Sequence, residues 1–316
     1  MLGYVSHAFK CSFDYEGLPM KLRASQFIAP FLIAASLLGA GTSSAAETLT
    51  LGVLAYLPKS EIVERYQPIV DRLKKSLGDI NIKLVPLSYD NNEIENALNR
   101  KELDLLLTNP SHYIKLKKTY KFSGPLVTQE VFEKGQPTAM MGGVIFAKAD
   151  RADIKGLADI VNAQIASPDL RSLGGFQAQA YEMLKAGLPR PKKITFKEKH
   201  DLVVMDVLNS KADVGFVRTG VLESMERKGQ LKLSSIKIIN SQTGASFPVA
   251  VSTRLYPEWP IVATEKVSPQ TIKRVTNALL AIKLDATATR PAGIAGYVAP
   301  KSYLQIEEVE RELKIQ

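Results

Sequence analysis

Beyond residue 47, short apolar runs alternate with segments whose apolar positions recur every three or four residues. Residues 49–55 read as a strand. Ile62, Val63, Tyr66, Ile69, Val70, Leu73 and Leu77 then follow at helical spacing, and Gly78 stands where that helix should stop. Residues 82–87 predict a second strand and 93–100 a short helix. Residues 103–107 predict a third strand, whose unbroken apolar run suits burial on both faces. Further strands are predicted at 143–147, 164–166, 194–196, 214–217, 236–239 and 249–252. Helices are predicted at 176–185, 202–209 and 221–228, with Gly187 and Gly229 as stops. Ser268 is placed to cap a last helix opened by Pro269, with Ile272, Val275, Leu279 and Ile282 on one face. Strands alternating with helices predict an α/β protein with mostly parallel sheets.

No low-complexity linker interrupts this pattern. The breaks are short and glycine-bearing, at Met141-Gly142-Gly143 and at Gln242-Thr243-Gly244. Two readings fit. One is a single α/β domain with ordinary loops. The other is two lobes joined by a double hinge, with 47–141 and 245–316 forming the first lobe and 142–244 the second.

The N-terminal stretch has a different character. Lys21 and Arg23 precede an apolar run from Phe27 to Leu38, and Ser44-Ala45-Ala46 ends in small residues. This is the order of a secretory signal, with cleavage expected after Ala46 and Glu47 as the first mature residue. The competing reading, a membrane anchor, needs roughly 20 apolar residues and the run is shorter. Residues 1–19 lie awkwardly upstream of the signal, and Met20 is a better start than Met1. Cys11 is the only cysteine and falls in the segment to be removed, leaving no thiol, disulfide or lipid attachment point in the mature chain. Together these features predict a soluble protein of a bacterial periplasm.

The 316 residues are 45% hydrophobic and 23% charged, enough for two compact cores. The net charge of +9 is compatible with an acidic ligand, a membrane surface or nucleic acid. No dense Lys/Arg tract interleaved with aromatics points to nucleic acid.

Six segments read in order carry a resemblance. They are Leu51-Gly52-Val53-Leu54-Ala55-Tyr56, Leu103 to Tyr113 (LDLLLTNPSHY), Gly142-Gly143-Val144-Ile145-Phe146, Ser172-Leu173-Gly174-Gly175-Phe176-Gln177, Ala212 to Gly220 (ADVGFVRTG) and Ser252 to Pro260 (STRLYPEWP). In this order and spacing the chain resembles the phosphate/phosphonate-type periplasmic binding proteins. It is similar to the branch that also forms sensor domains of tetrathionate-type histidine kinases. The resemblance covers nearly all of 47–310 and rests on the ordered set rather than on one motif. It implies a two-lobed type II periplasmic binding fold with a double-crossing hinge, closing on a ligand. It implies a monomeric subunit serving an ABC transporter permease, or one presenting its ligand to a membrane sensor kinase. The chain stops at Gln316 without a kinase module, which favours the transporter role.

Ligands of open α/β sheets bind at the carboxyl ends of strands, so residues following strands are the candidates. Tyr56 follows the first strand and can wall the cleft. Thr108, Asn109, Ser111 and His112 follow the third. Asn109 can cap a helix opened by Pro110, whose free N–H groups attract anions, and a charged His112 can pair with an oxyanion. Ser172, Gly174, Gly175 and Phe176 form a second such turn, where glycine lets backbone approach a ligand. Arg218 and Thr219 follow the strand at 214–217, and Arg218 can grip an anion with two N–H groups. Each has a plainer alternative: an ordinary cap, a glycine-rich loop, or an ion pair of Arg218 with Asp213 or Glu223. Arg254 and Trp259 read more as packing than as ligand contacts.

Enzyme chemistry finds little footing. Beyond the leader only His112 and His200 remain as histidines, and neither metal-ligand spacing nor a Gly-x-Ser-x-Gly elbow is visible. The glycines of 172–177 form neither a Walker motif nor a dinucleotide fingerprint. The expectation is reversible binding of a small oxyanion, either phosphate-, phosphite- or phosphonate-like or a sulfur oxyanion, without cofactor or metal.

Overall fold

The computed structural model describes residues 47–242 and 247–314. The expected signal segment, with Cys11, and residues 243–244 of the expected second hinge lie outside the described residues.

The chain opens with β1 (Glu47–Leu54), α1 (Lys59–Leu77), β2 (Ile80–Leu87), α2 (Glu93–Asn99), β3 (Leu105–Leu107) and α3 (Pro110–Leu116). It continues with β4 (Phe122–Glu133), β5 (Gln136–Thr138), β6 (Met140–Met141), β7 (Gly143–Lys148) and β8 (Gln164–Ser167). Next come α4 (Ala178–Lys185), β9 (Lys193–Phe196), α5 (His200–Leu208), β10 (Val214–Arg218), α6 (Val221–Arg227) and β11 (Ile236–Ile239). It ends with β12 (Tyr256–Pro257), β13 (Pro260–Thr264), α7 (Pro269–Ala281), α8 (Ala286–Thr289), β14 (Ile294–Val298) and α9 (Leu304–Leu313).

These strands form two main sheets. The first has the order β14-β4-β13-β3-β1-β2, with β5 paired to β4; the second has the order β11-β7-β10-β8-β9. The apolar alternation sets the layers. Leu105 and Leu107 of β3 enter a core with α1, while Leu106 between them enters a second core. That second core holds Tyr113 and Ile114 of α3, Ile145 of β7, Ile165 of β8, Leu173, Phe176, and Ile306 and Val309 of α9. It therefore joins the halves built on the two sheets. Truncating Leu106, which is fully buried, would cost about 2–5 kcal/mol. Asp104 anchors the start of β3: its Oδ2 accepts from the Thr50 N–H at 2.8 Å, and Lys266 pairs with it at 2.9 Å.

Two expectations need correction, and one long strand went unpredicted. The sheets are mixed rather than mostly parallel. β1 runs parallel to β2 and β3, but β13 runs antiparallel to β3 and β4, and β7 antiparallel to β10 and β11. The long β4 escaped the pattern because Gly124 and Pro125 break its apolar run. Residues 249–252 are not a strand. Their place beside β7 is held by single bonds: the Ser252 N–H donates to the Gly143 carbonyl at 2.8 Å, and the Ile145 N–H donates to Ser252 Oγ at 2.9 Å.

That attachment also moves the second crossing. Met141 pairs with Tyr256 and Met140 with Pro257 in a two-stranded antiparallel ribbon between the sheets. Ser252 and Thr253 are still bonded to Gly143 and Ile145 of the second sheet, and the chain rejoins the first sheet only at β13, from Pro260. Gly142 and Gly143 are required by contact rather than by bending. A Cβ on Gly142 would stand 2.8 Å from Val251, and one on Gly143 2.5 Å from Gln179.

Candidate functional site

The turn after β3 is built by its own side chains. Asn109 Oδ1 accepts from the Ser111 N–H at 2.9 Å, and Pro110 opens the seven-residue α3. Thr108, Asn109, Ser111 and His112 are all buried. The turn after β8 is built the same way. Ser172 Oγ accepts from the Gly175 N–H at 3.1 Å, and the chain makes one wide i→i+5 turn over Leu173–Gln177 before α4. Ser167 Oγ donates to the Gly175 carbonyl at 2.9 Å and fixes that turn to the end of β8.

These two turns, one from each half, meet. Ser111 Oγ donates to Gln177 Oε1, and Gln177 Nε2 donates to the Leu170 carbonyl at 3.2 Å. Beside them Arg171 lies over the Tyr89 ring, 4.1 Å from its centre, while Tyr89 stands edge-on to His112 at 5.0 Å. Arg171 is itself held in a two-pronged pair with Asp169 at 2.9 and 2.8 Å. Burial works against the Asp169 charge, but the Arg171 fork and backbone N–H outweigh it and hold the carboxyl below its usual range.

His112 is not free to grip an anion. Its Nδ1 lies 2.9 Å from Thr108 Oγ1 and its Nε2 3.2 Å from Glu95 Oε1, so both ring nitrogens are engaged. The hydrogen bond from His112 holds the Glu95 carboxyl below the usual carboxylate range. Phe176 packs edge-on against the exposed Phe196, with ring centres 5.8 Å apart.

Gly174 carries the second turn against the crossing. A Cβ there would stand 2.7 Å from Met141, 2.8 Å from the Arg218 Cβ and 3.0 Å from the Gly142 carbonyl. Arg218 does not pair with Asp213 or Glu223. Its Nη2 donates to Glu258 Oε1 at 2.6 Å and lies 3.8 Å from Glu133. Asp213 pairs with Arg151, and Glu223 accepts from the Ala250 N–H. Burial pushes the Glu133 carboxyl up; Arg218 opposes the shift, while Glu258 and Glu223 add to it. Thr219 is a fastener for the crossing: its N–H donates to the Gly142 carbonyl at 3.0 Å, and its Oγ1 accepts from the Gly142 N–H at 3.2 Å. Tyr56 is 43% exposed after β1 and stands edge-on to Trp259 at 5.3 Å.

Sequence reasoning passed over four groups here. Gln177 lay inside a quoted segment but was not singled out. Glu95 was hidden in an amphipathic helix. Glu258 was a charge in a proline-aromatic tract, the one signal that called for a buried partner. His200, at the start of α5, accepts a long 3.4 Å bond from the Arg218 N–H, and burial followed by the Arg218 charge pushes it down to about 3.

Among the described residues no cluster of three or more His, Cys, Asp or Glu could hold a metal ion, and no helix is long and apolar enough to cross a membrane. What the junction offers is hydroxyls, a side-chain amide and backbone turns, with its charged groups Arg171 and Arg218 each matched by a carboxylate.

Comparison places this geometry. The fold matches XAC2383 from Xanthomonas citri, solved with ATP, with a TM-score of 0.68 at 16% identity over 85% of this chain and 97% of that one. It matches PhnD1 from Prochlorococcus marinus, solved with methylphosphonate, with a TM-score of 0.64 at 16% identity over 85% and 99%. A binding protein component of an ABC phosphonate transporter from Pseudomonas aeruginosa gives a TM-score of 0.62 at 15% identity over 85% and 87%. All three support the mixed α/β, two-lobed binding-protein fold. No curated protein sequence matches the chain. The family model described as "ABC transporter, phosphonate, periplasmic substrate-binding protein" matches residues 51–303, and the chain belongs to that family of periplasmic binding subunits.

Proposed function

We propose that this protein captures a small oxyanion at the junction of its two halves and delivers it to an ABC transporter permease in the inner membrane. It acts in the periplasm after loss of the leader. The ligand class is phosphate, phosphite, phosphonate or a sulfur oxyanion. The observation that carries this reading is the meeting of two capped turns, 108–112 and 172–177, through Ser111 and Gln177. Such turns present polar hydrogen and little steric bulk to an anion. The methylphosphonate of PhnD1 and the ATP of XAC2383 both carry phosphorus oxyanions, which supports the same ligand class here.

Binding would work by differential contact. The halves swing about the Met140–Met141 and Tyr256–Pro257 ribbon, and an anion held by both turns favours their approach. Charge-assisted hydrogen bonds, each worth about 1.5–3 kcal/mol, supply the affinity.

A thermal-shift screen of methylphosphonate, phosphite, phosphate, sulfate and thiosulfate tests the reading. A true ligand at 100 times its dissociation constant stabilises the fold by about 2.7 kcal/mol. No shift with any of the five would remove the proposal.

A further inference from the structure

Two buried groups and one partly exposed carboxylate, from three elements, form a chain that ends at the proposed anion site: Thr108 at the end of β3, His112 of α3 and Glu95 of α2. His112 Nε2 is 3.2 Å from Glu95 Oε1, and its Nδ1 is 2.9 Å from Thr108 Oγ1. We propose that Glu95 and His112 are positioning residues that set whether the Thr108 hydroxyl donates to the bound oxyanion or turns away from it. The inference rests on the oxyanion reading above and names how that site discriminates.

The argument is one of proton counting. Glu95 is a carboxylate and can only accept, so Nε2 carries a proton in either state of the ring. When His112 is charged, Nδ1 also carries a proton and donates it to Thr108 Oγ1. The Thr108 hydroxyl hydrogen is then free to point at an oxyanion. When His112 is neutral, Nδ1 is bare and accepts from Thr108. The hydroxyl then presents only lone pairs towards the anion, which repels it. One proton on an imidazole thus converts Thr108 from a repelling group into a donor, without movement of the backbone.

The surroundings of His112 are accounted for. Glu95 from α2 faces it directly, and the Tyr89 ring lies edge-on, itself covered by Arg171 with its partner Asp169. Lys115 on α3 acts on Glu95. Glu310 of α9 feels the His112 charge and pairs with Lys118. The hydrogen bond from His112 keeps Glu95 ionised, as the scheme requires.

The test is calorimetric titration of methylphosphonate into wild type, Thr108→Val, Thr108→Ser and Glu95→Gln at pH 5.5 and pH 8.5. The ligand's own titration is common to all four proteins and cancels in the comparison. The expected result is that the ratio of affinities, acid over alkaline, is at least tenfold larger in wild type and Thr108→Ser than in Thr108→Val and Glu95→Gln. Rescue by serine separates the hydroxyl's role from packing. Parallel pH profiles in all four, with Ser172→Ala weakening binding, would overturn the relay and leave the anion site standing. No heat from methylphosphonate, phosphate or sulfate at either pH would overturn the site reading and the relay with it.

Discussion

Ser111 Oγ and Gln177 Oε1 lie 2.5 Å apart, and the bond between them ties the turn after β3 to the turn before α4. The residues are 66 positions apart and belong to opposite halves of the molecule. Gln177→Ala should remove this bond and the one to the Leu170 carbonyl, costing about 1–3 kcal/mol because buried partners are left behind. Urea unfolding measures the stability change, and calorimetry should show weaker methylphosphonate binding in the same variant. Unchanged values in both would place the junction outside the binding machinery.

Gly174 tests steric closeness. The Cβ of Gly174→Ala would press on Met141, Arg218 and the Gly142 carbonyl, two of them at 2.8 Å or less. The turn must shift away from the crossing. The expected outcome is at least a tenfold loss of methylphosphonate affinity at about 1–3 kcal/mol of destabilisation, read by calorimetry and thermal melting.

Glu258→Gln should act in two directions. Glu258 is fully buried and neutralises Arg218. Removing its charge leaves the guanidinium with Glu133 alone at 3.8 Å, and stability should fall by about 2 kcal/mol or more. The same change frees Arg218 for an anion, so affinity for doubly charged oxyanions should rise. A variant that is both destabilised and weaker in binding would show that Arg218 serves only the fold.

His200 gives a pH signature. Burial holds it neutral, at about 3 in the folded state, whereas an unfolded histidine titrates near 6.5. Between those values the unfolded chain binds the extra proton, so stability is full above pH 6.5 and falls as the pH drops below it. A single proton distinguishes the two states, so the slope is at most about 1.4 kcal/mol per pH unit. Melting temperature against pH should decline less steeply on the acid side for His200→Asn than for wild type.

The sequence carried the elements built from periodic apolar residues. The α1 stripe with its Gly78 stop, the Ser268 cap with Pro269, and the β3 run buried on both faces all stand as the pattern predicts. What escaped it depends on tertiary partners. β4 hides behind Gly124-Pro125, and its twelve residues are held by pairing with β13, β14 and β5. Within 249–252, Ser252 is fixed by bonds to β7 and Ala250 by one to Glu223, which no local pattern encodes. Within the candidate site the turns themselves were legible, because caps and glycines have local signatures. The partners of His112 and Arg218 were not. Glu95 lies 17 positions from His112 and Glu258 lies 40 from Arg218, and their pairing is a property of the fold.

The central claim is that one oxyanion is held by both turns at once. A crystal structure of the protein with methylphosphonate tests it most directly. The account predicts phosphonate oxygens within hydrogen-bonding distance, about 2.7–3.2 Å, of donors in both 108–112 and 172–177. Phosphonate seated against one half only, or on an outer surface away from Ser111 and Gln177, would contradict it.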